Sequence, residues 1–416
     1  MRIMINKLSE LTGKVVQIKG FVAAIRNQGS IVFLEIRDTS GSVQVVVSKQ
    51  MMHTVDGLTI ESVVAIIGSV VKTSNTKSGL EIKLESLEIL SLSEAQLPIP
   101  VNQKADNEAT QSSRLDWRWL DLRNEKHALV FKIWTTMEQA FREYCIQNGF
   151  TQIHSPKTVV TSTESGSELF EIKYFEKKAY LAQSPQLYKQ MAMASGLERV
   201  FEIGPVFRAN PSFTSRHDTE FTMYDIEMSY IESHHDLMDF EEQLMRAMFE
   251  SIDDNFHEKI KLHYNTEIAI SINPFPRIKF VDAKQLLSEM GVESSDDFDL
   301  SPQEERKLCE YYFNKDGSEF VFVHDWYSKS RAFYSMRTEE DPNFSKTFDL
   351  LYRGLEITSG AQREHRYKQL SKQIQEQGLQ LEPFESYLNF FRFGCPPHGG
   401  FAPGPTRILM KMLQLD

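Results

Sequence analysis

Only three cysteines occur along the 416 residues, Cys145, Cys309 and Cys395, and no two stand close enough for a CxxC pair. That scarcity excludes a disulfide scaffold and reads as a reduced, cytoplasmic and zinc-free protein. Long apolar runs are missing as well. No stretch approaches the ~20 apolar residues of a membrane span, and the opening MRIMINKLSELTG has no apolar signal-peptide core. No membrane partner is expected. Basic charge is in deficit, since 46 lysines and arginines against 58 acidic residues leave a net charge of −12. This excludes indiscriminate coating of nucleic acid, but not RNA binding through a local basic face. The chain also lacks GxGxxG, a P-loop and internal repeats, which removes the Rossmann-type nucleotide site.

What is present is length and clear punctuation. The chain is too long for one core and predicts two or three domains. Residues 1–92 carry five β-rich runs, KVVQIKGFVAAI, SIVFLEIRD, SVQVVVS, SVVAIIGSVVKT and GLEIKLESLEIL, divided by turn residues. Five short strands in that span predict an OB-fold β-barrel. Alternation sends Val32, Leu34, Ile36, Val43, Val45 and Val47 to the core and leaves Phe33, Arg37 and Gln44 outward. An outward Phe beside an outward Gln suits base stacking, although a lone exposed aromatic more often has no such role.

Residues 93–125 form a polar linker stiffened by Pro98 and Pro100. From Glu125 to Gln147 a helical face repeats Leu129, Ile133, Met137, Phe141 and Tyr144 or Cys145, and Gly149 suits its end. Beyond it, helices are predicted over residues 185–196, 235–252, 281–290, 302–313, 365–377 and 383–393, with a last one starting near Ile408. Strands are predicted over 179–182, 200–207, 222–231, 320–324 and 348–358. Strands arriving as consecutive hairpins predict an α+β domain over residues 126–416, an antiparallel sheet flanked by helices.

The most informative stretch is residues 207–228, FRANPSFTSRHDTEFTMYDIEM. Arg208, Arg216, His217 and Phe221 crowd a loop between two apolar runs. Guanidinium forks grip phosphate oxygens, and a phenyl ring can face a purine. By itself a basic loop between strands is most often a solvated turn. In context, the stretch resembles motif 2 of the class II aminoacyl-tRNA synthetases, and HGGFAPGPTRILMKML (398–413) resembles motif 3. GFTQIHSPKTVV, with Pro156, resembles motif 1, the family's dimer contact. FDLLYRGLEITSGAQREHRY (348–367), TSTESGSELF (161–170) and LAQSPQLYKQM (181–191) are similar to segments of the aspartyl-tRNA synthetases, nearest the archaeal and eukaryotic branch. The likeness runs from about residue 13 to residue 413.

That resemblance implies a homodimer that activates L-aspartate with ATP and Mg2+ and passes the aspartyl group to the 3′ end of tRNA(Asp). It implies Arg208 at the α-phosphate, and Arg216 and His217 at the outer phosphates. Phe221 and Arg407 would stack on the two adenine faces, Asn210 would meet the adenine end, and Gly404 would let the backbone approach. Glu356, helped by Ser359, would hold the metal, because hard cations prefer oxygen. Arg208, Glu356 and Arg407 would carry catalysis. Lys189 and Arg363 would grip aspartate, with Gln186, Ser359, Glu164 and Asp225 beside them, the last two on the ammonium side. In the barrel, Phe33, Gln44 and Arg26 would read the anticodon.

Three features depart from the family. Asn210 replaces the motif 2 glutamate, Thr406 replaces the acid before the motif 3 arginine, and the sequence stops at Asp416, where relatives usually continue with a short tail. Weaker or altered ATP binding is expected from the first two. The small Ala23, with Asn75 one of the positions bearing on tRNA choice, leans towards a relaxed enzyme. Such an enzyme also charges tRNA(Asn) and implies a tRNA-dependent amidotransferase partner. The rivals are an asparaginyl-tRNA synthetase, disfavoured by Lys189, and a non-catalytic RNA-binding paralog, supported only by those departures. ATP-dependent asparagine synthesis on the same fold would have no need of the barrel.

Overall fold

The computed structural model describes residues 2–102, 108–160, 169–210 and 218–415. The chain divides into two compact units, Met1–Asn124 and Glu125–Asp416.

In the first unit, strands β1 (Val15–Gln28), β2 (Ile31–Asp38), β3 (Gly41–Val47), β4 (Val63–Lys72) and β5 (Leu80–Ser91) close into a barrel in the order β1-β2-β3-β5-β4. The OB-fold expectation holds. Alternation does the sorting: Val32, Leu34, Ile36, Val43, Val45 and Val47 all lie in one buried cluster with Ile18, Val22, Ile66 and Ile82. Closing the sheet leaves the outward side chains of β1, β2 and β3 in one row, because Arg26 stands opposite Phe33 and Glu35 opposite Gln44. The short helices α1 (Gln111–Asp116) and α2 (Arg118–Asp121) complete this unit.

The second unit begins with α3 (Glu125–Gln147), whose Leu129, Ile133, Met137, Phe141 and Cys145 are buried as its periodicity predicts. Then come β6 (Thr151–Gln152), β7 (Thr158–Val159), β8 (Glu171–Tyr174), β9 (Lys177–Leu181), α4 (Gln186–Ala194), β10 (Arg199–Phe207), β11 (Glu220–Ser229) and α5 (His234–Tyr264). They are followed by β12 (Arg277–Lys279), α6 (Phe280–Glu289), α7 (Pro302–Asp316), β13 (Phe320–His324), β14 (Thr347–Tyr352) and β15 (Leu355–Gln362). The unit ends with α8 (Tyr367–Glu376), α9 (Glu385–Arg392), β16 (His398–Pro403) and α10 (Pro405–Met412).

Eight strands form one sheet in the order β12-β13-β14-β15-β16-β11-β10-β6, and β7, β9 and β8 form a small second sheet. The six central strands pair antiparallel, whereas the edge strands β12 and β6 pair parallel, so the sheet is mixed at its rims. The main core joins α3, α5 and α10 to one face, through Phe141, Leu244, Met248 and Ile408 against Phe201, Tyr224, Phe348 and Phe401.

Three local expectations need correction. Residues 348–358 are not one strand but the hairpin β14–β15, turned at Arg353 and Gly354, both at positive φ (46° and 78°). A two-residue turn with positive φ at both positions matches strand twist, and it places Glu356 on the return strand. Helix α5 runs on to Tyr264, twelve residues past the predicted end at 252, and stops on left-handed Asn265. Its charged second half, DDNFHEKIK, hid the continuing period. Helix α10 starts at Pro405 rather than near Ile408, since proline suits the first helical position, and this brings Arg407 into the first turn.

Candidate active site

The sheet supplies a floor on which side chains two apart share a face. On β11, Asp225 and Glu227 both project towards α4, whose Lys189 is buried beneath them. Lys189 Nζ lies 3.0 Å from Asp225 Oδ1 and 3.3 Å from Glu227 Oε2, and it donates to the Ile226 carbonyl at 3.2 Å. Arg363, just past β15, donates from Nε to Glu227 Oε1 at 2.9 Å and from Nη2 to Oε2 at 3.2 Å. A third bond reaches the Gly400 carbonyl at 3.0 Å. Two cations and two carboxylates thus interlock in a volume with almost no solvent contact, where ionic groups persist only when paired.

The two acids titrate in opposite directions. Burial resists ionisation of both. For Glu227, Arg363 and Lys189 together overcome it and hold the carboxyl below its usual range. For Asp225, burial wins over the pull of Lys189, and its pKa is raised. Gln186 opens α4 nearby, and its Nε2 is buried with no hydrogen-bond partner, a donor available to a ligand.

Gln186, Lys189, Asp225 and Arg363 line one side of a cleft of about 440 Å³, with Glu227 behind them. Its other walls are Arg208, Phe221, Glu356, Ser359, Gly404 and Arg407. Arg208 leaves the end of β10 with its guanidinium 5.4 Å from the Phe221 ring centroid, and its Nε is buried without a partner. Arg407 Nη1 donates to the Glu356 carbonyl at 2.8 Å and stands 3.5 Å from Glu356 Oε2. Burial and the Asp349 carboxylate push the Glu356 pKa up, against Arg407 and Arg331. Gly404 caps α10, and a Cβ there would meet the chain only at an ordinary 3.6 Å, so the room kept by glycine is room in the cleft.

Sequence reasoning missed three members. Glu227 was legible, being two residues from Asp225 and so on the same strand face. Asp349 was legible only with the register, which sets it opposite Ser359. Arg331 gave no signal; it comes from a loop, grips Asp349 at 2.6 and 3.0 Å, and reaches Ser359 Oγ at 3.4 Å. Its guanidinium rests 4.0 Å over Trp326.

Of the residues named from sequence, Arg208, Phe221, Lys189, Gln186, Asp225, Glu356, Ser359, Arg363, Gly404 and Arg407 meet in this cleft. Asn210 lies beyond Arg208 and donates from Nδ2 to the Asp218 carbonyl at 3.2 Å, bracing the two described ends of the motif 2 loop. Thr406 lines the cleft. Glu164, Arg216 and His217 lie outside the described residues. The oxygens of Glu356 and Ser359 line the cleft, where a divalent cation would offset the Asp349 charge that helps raise the Glu356 pKa. In the barrel, Arg26 Nη2 donates to Gln44 Oε1 at 3.3 Å and Arg26 stands opposite Phe33, so those three candidates form one patch.

Comparison with known proteins adds an independent line. Residues 110–416 match the tRNA synthetases class II (D, K and N), and residues 16–90 match the OB-fold nucleic acid binding domain. An aspartate–tRNA(Asp) ligase of Pyrococcus abyssi is 42% identical over 98% of this chain and 93% of its own length. An aspartate–tRNA(Asp/Asn) ligase of Aeropyrum pernix is 40% identical over 99% and 94%. Among solved structures, the asparaginyl-tRNA synthetase of Pyrococcus horikoshii with asparaginyl-adenylate superposes with a TM-score of 0.91 at 33% identity, covering 100% of this chain and 95% of that one. The aspartyl-tRNA synthetase of Entamoeba histolytica gives 0.89 at 32%, over 100% and 89%.

Proposed function

The chain belongs to the class II aminoacyl-tRNA synthetases of the D, K and N group, and from that premise we infer that it is an aspartate–tRNA ligase. It activates L-aspartate with ATP to aspartyl-adenylate and transfers the aspartyl group to the 3′-terminal ribose of tRNA. The observation that carries the choice of amino acid is the buried Lys189–Arg363 cation pair interlocked with Asp225 and Glu227. Aspartate brings two carboxylates and one ammonium; an asparagine amide would bring no charge to Lys189, and a site built on a buried charge discriminates strongly against an uncharged analogue.

In this reading Lys189 and Arg363 hold the carboxylates, Asp225 and Glu164 take the ammonium, and Gln186 fills its open donor on the substrate. Arg208 draws charge from the α-phosphate as the aspartate α-carboxylate attacks phosphorus and pyrophosphate departs. Arg216 and His217 take the outer phosphates. Phe221 and Arg407 clamp the adenine, and Asn210 meets its edge. Glu356 and Ser359 would hold Mg2+, which would neutralise phosphate charge when bound. The 3′-terminal ribose hydroxyl of the tRNA then attacks the adenylate's acyl carbon, forming the aspartyl ester as AMP departs with the hydroxyl proton.

Phe33, Gln44 and Arg26 form the anticodon patch of a barrel joined by the linker at residues 93–125 to the catalytic domain. Small, buried Ala23 supports a relaxed choice of tRNA, with tRNA(Asn) also charged and its product passed to an amidotransferase. A homodimer is supported by apolar surface on α3 and beyond it: Phe131 and Ile146 are about half exposed and Val160 more so. Among the described residues no helix is long and apolar enough to cross a membrane.

Aspartate-dependent pyrophosphate exchange, run beside charging of separate tRNA(Asp) and tRNA(Asn), tests the reading. Exchange with aspartate and charging of both tRNAs is the expected result. Charging of tRNA(Asp) alone removes the relaxed assignment, and exchange with asparagine instead overturns the choice of amino acid.

A further inference from the structure

Away from the cleft, His234 and His235 open α5 and His324 ends β13. Among the described residues, theirs is the one group of three or more His, Cys, Asp or Glu side chains whose ligand atoms converge, all lying within 4.8 Å of one another. Such atoms lie no more than about 2.8 Å from a common point (4.8 Å divided by √3), a small ring rotation from the ~2.0–2.1 Å of a zinc–nitrogen bond. The ring centroids are 4.4, 5.2 and 5.7 Å apart.

Asp325 stands beside two of them: its Oδ1 is 3.0 Å from His234 Nε2 and 3.4 Å from His324 Nδ1. Both ring nitrogens of His234 and Nδ1 of His324 are buried without an aligned hydrogen bond. Buried ring nitrogens gathered in this way suit an ion. The other carboxylate oxygen is taken, since Lys279 Nζ lies 3.2 Å from Oδ2, and this leaves Oδ1 directed inward. His234 and His324 are buried while His235 is open to solvent, which provides an entry path.

We propose that His234, His235 and His324 form a Zn2+ site that ties the start of α5 to the end of β13, with the Asp325 carboxylate beside it. Three imidazoles are a donor set that zinc takes in preference to magnesium or calcium, which favour all-oxygen cages. Ligands drawn from two elements give the ion a structural role. The cap of α5 preorganises half of it: Ser233 Oγ accepts from the His235 N–H at 3.1 Å and fixes the backbone that carries both α5 histidines. The cysteine positions gave no hint of zinc, because the ligands are histidines 89 residues apart in sequence (235 to 324) that only the sheet brings together.

The test uses the full chain, stripped with a chelator, then titrated with Zn2+ alone and followed by calorimetry and by metal content after dialysis. One equivalent per chain is expected, together with a rise in Tm of several degrees that Mg2+ does not reproduce. His235→Ala, at an exposed position that leaves the core intact, should lose the equivalent and the Tm rise, as should His324→Asn. Glu356→Gln, in the cleft, should keep both. Absence of stoichiometric Zn2+, an equivalent that survives His235→Ala, or one that disappears in Glu356→Gln would each overturn the assignment.

Discussion

At the scale of single residues, buried charge governs this protein. Lys189 faces two buried carboxylates, so removing its ammonium strips Asp225 of its paired cation and leaves Glu227 to Arg363 alone. Lys189→Met should cost about 3–5 kcal/mol of stability, the usual penalty for breaking a buried ion pair. The same variant should raise the KM for aspartate by at least about 100-fold, as expected for a lost charge pair in a desolvated site. ATP affinity, set by residues across the cleft, should hold. Urea titration and pyrophosphate exchange at varied aspartate and ATP measure the three quantities, and an unchanged aspartate KM would sink the pocket assignment.

Glu241 is a second buried acid, on α5 beneath the sheet, with neither carboxylate oxygen hydrogen-bonded. Burial, opposed by the Thr358 hydroxyl and reinforced by Asp349, pushes its pKa up to about 8. Because the folded value exceeds the unfolded value near 4.5, the unfolded chain releases a proton that the folded chain keeps. Stability from this group is therefore full below pH 4.5, declines as pH rises towards 8, and is flat beyond. The complete decline is on the order of 3–5 kcal/mol. Glu241→Gln should flatten it, so that the variant gains on the wild type at pH 8 relative to pH 5. Equal slopes in parallel urea titrations would refute the assignment.

At the scale of elements, the pocket depends on how closely β16 passes β11. Gly400 stands beside Glu227 in the register, and a Cβ there would lie 2.0 Å from the Ile226 carbonyl oxygen and 2.3 Å from Glu227 Oε2. Backbone cannot yield as a flexible side chain does. Gly400→Ala should cost about 1–3 kcal/mol through overpacking. It should also displace the Glu227 carboxylate that Arg363 and Lys189 share, weakening aspartate binding more than ATP binding. Kinetics showing equal loss for both substrates would mean that the sheet as a whole had shifted instead. The β14–β15 hairpin makes a related point: its turn sets which residue of the return strand faces Asp349, and so which oxygens stand together.

At the scale of the whole molecule, two units divide the labour. The net charge of −12 gives no general attraction for RNA, and the proposed reader is a local patch, Arg26, Phe33 and Gln44 on the barrel. Phe33→Ala and Gln44→Ala should each lower the kcat/KM for tRNA charging by about 10-fold or more, the worth of one stacked base. Tm and aspartate-dependent pyrophosphate exchange should stay at wild-type levels. If charging and exchange fell together, the barrel would be acting as a structural support rather than as a reader.

Much of this was determined by the sequence alone. Alternation of period two in β2 and β3 and the helical period of α3 needed only the rule that apolar side chains leave water, and both elements bury the residues so predicted. The barrel and the central antiparallel strands followed from local pattern, and the cleft residues followed from the short motifs by which the chain resembles the class II synthetases. Tertiary structure decided what depends on strangers in sequence. It set Arg331 against Asp349, Glu227 between Lys189 and Arg363, and His324 within reach of His234 and His235. The physical reason is register: strand pairing and helix docking convert separations of tens or hundreds of residues into a few ångströms, and no local period records which strangers will meet.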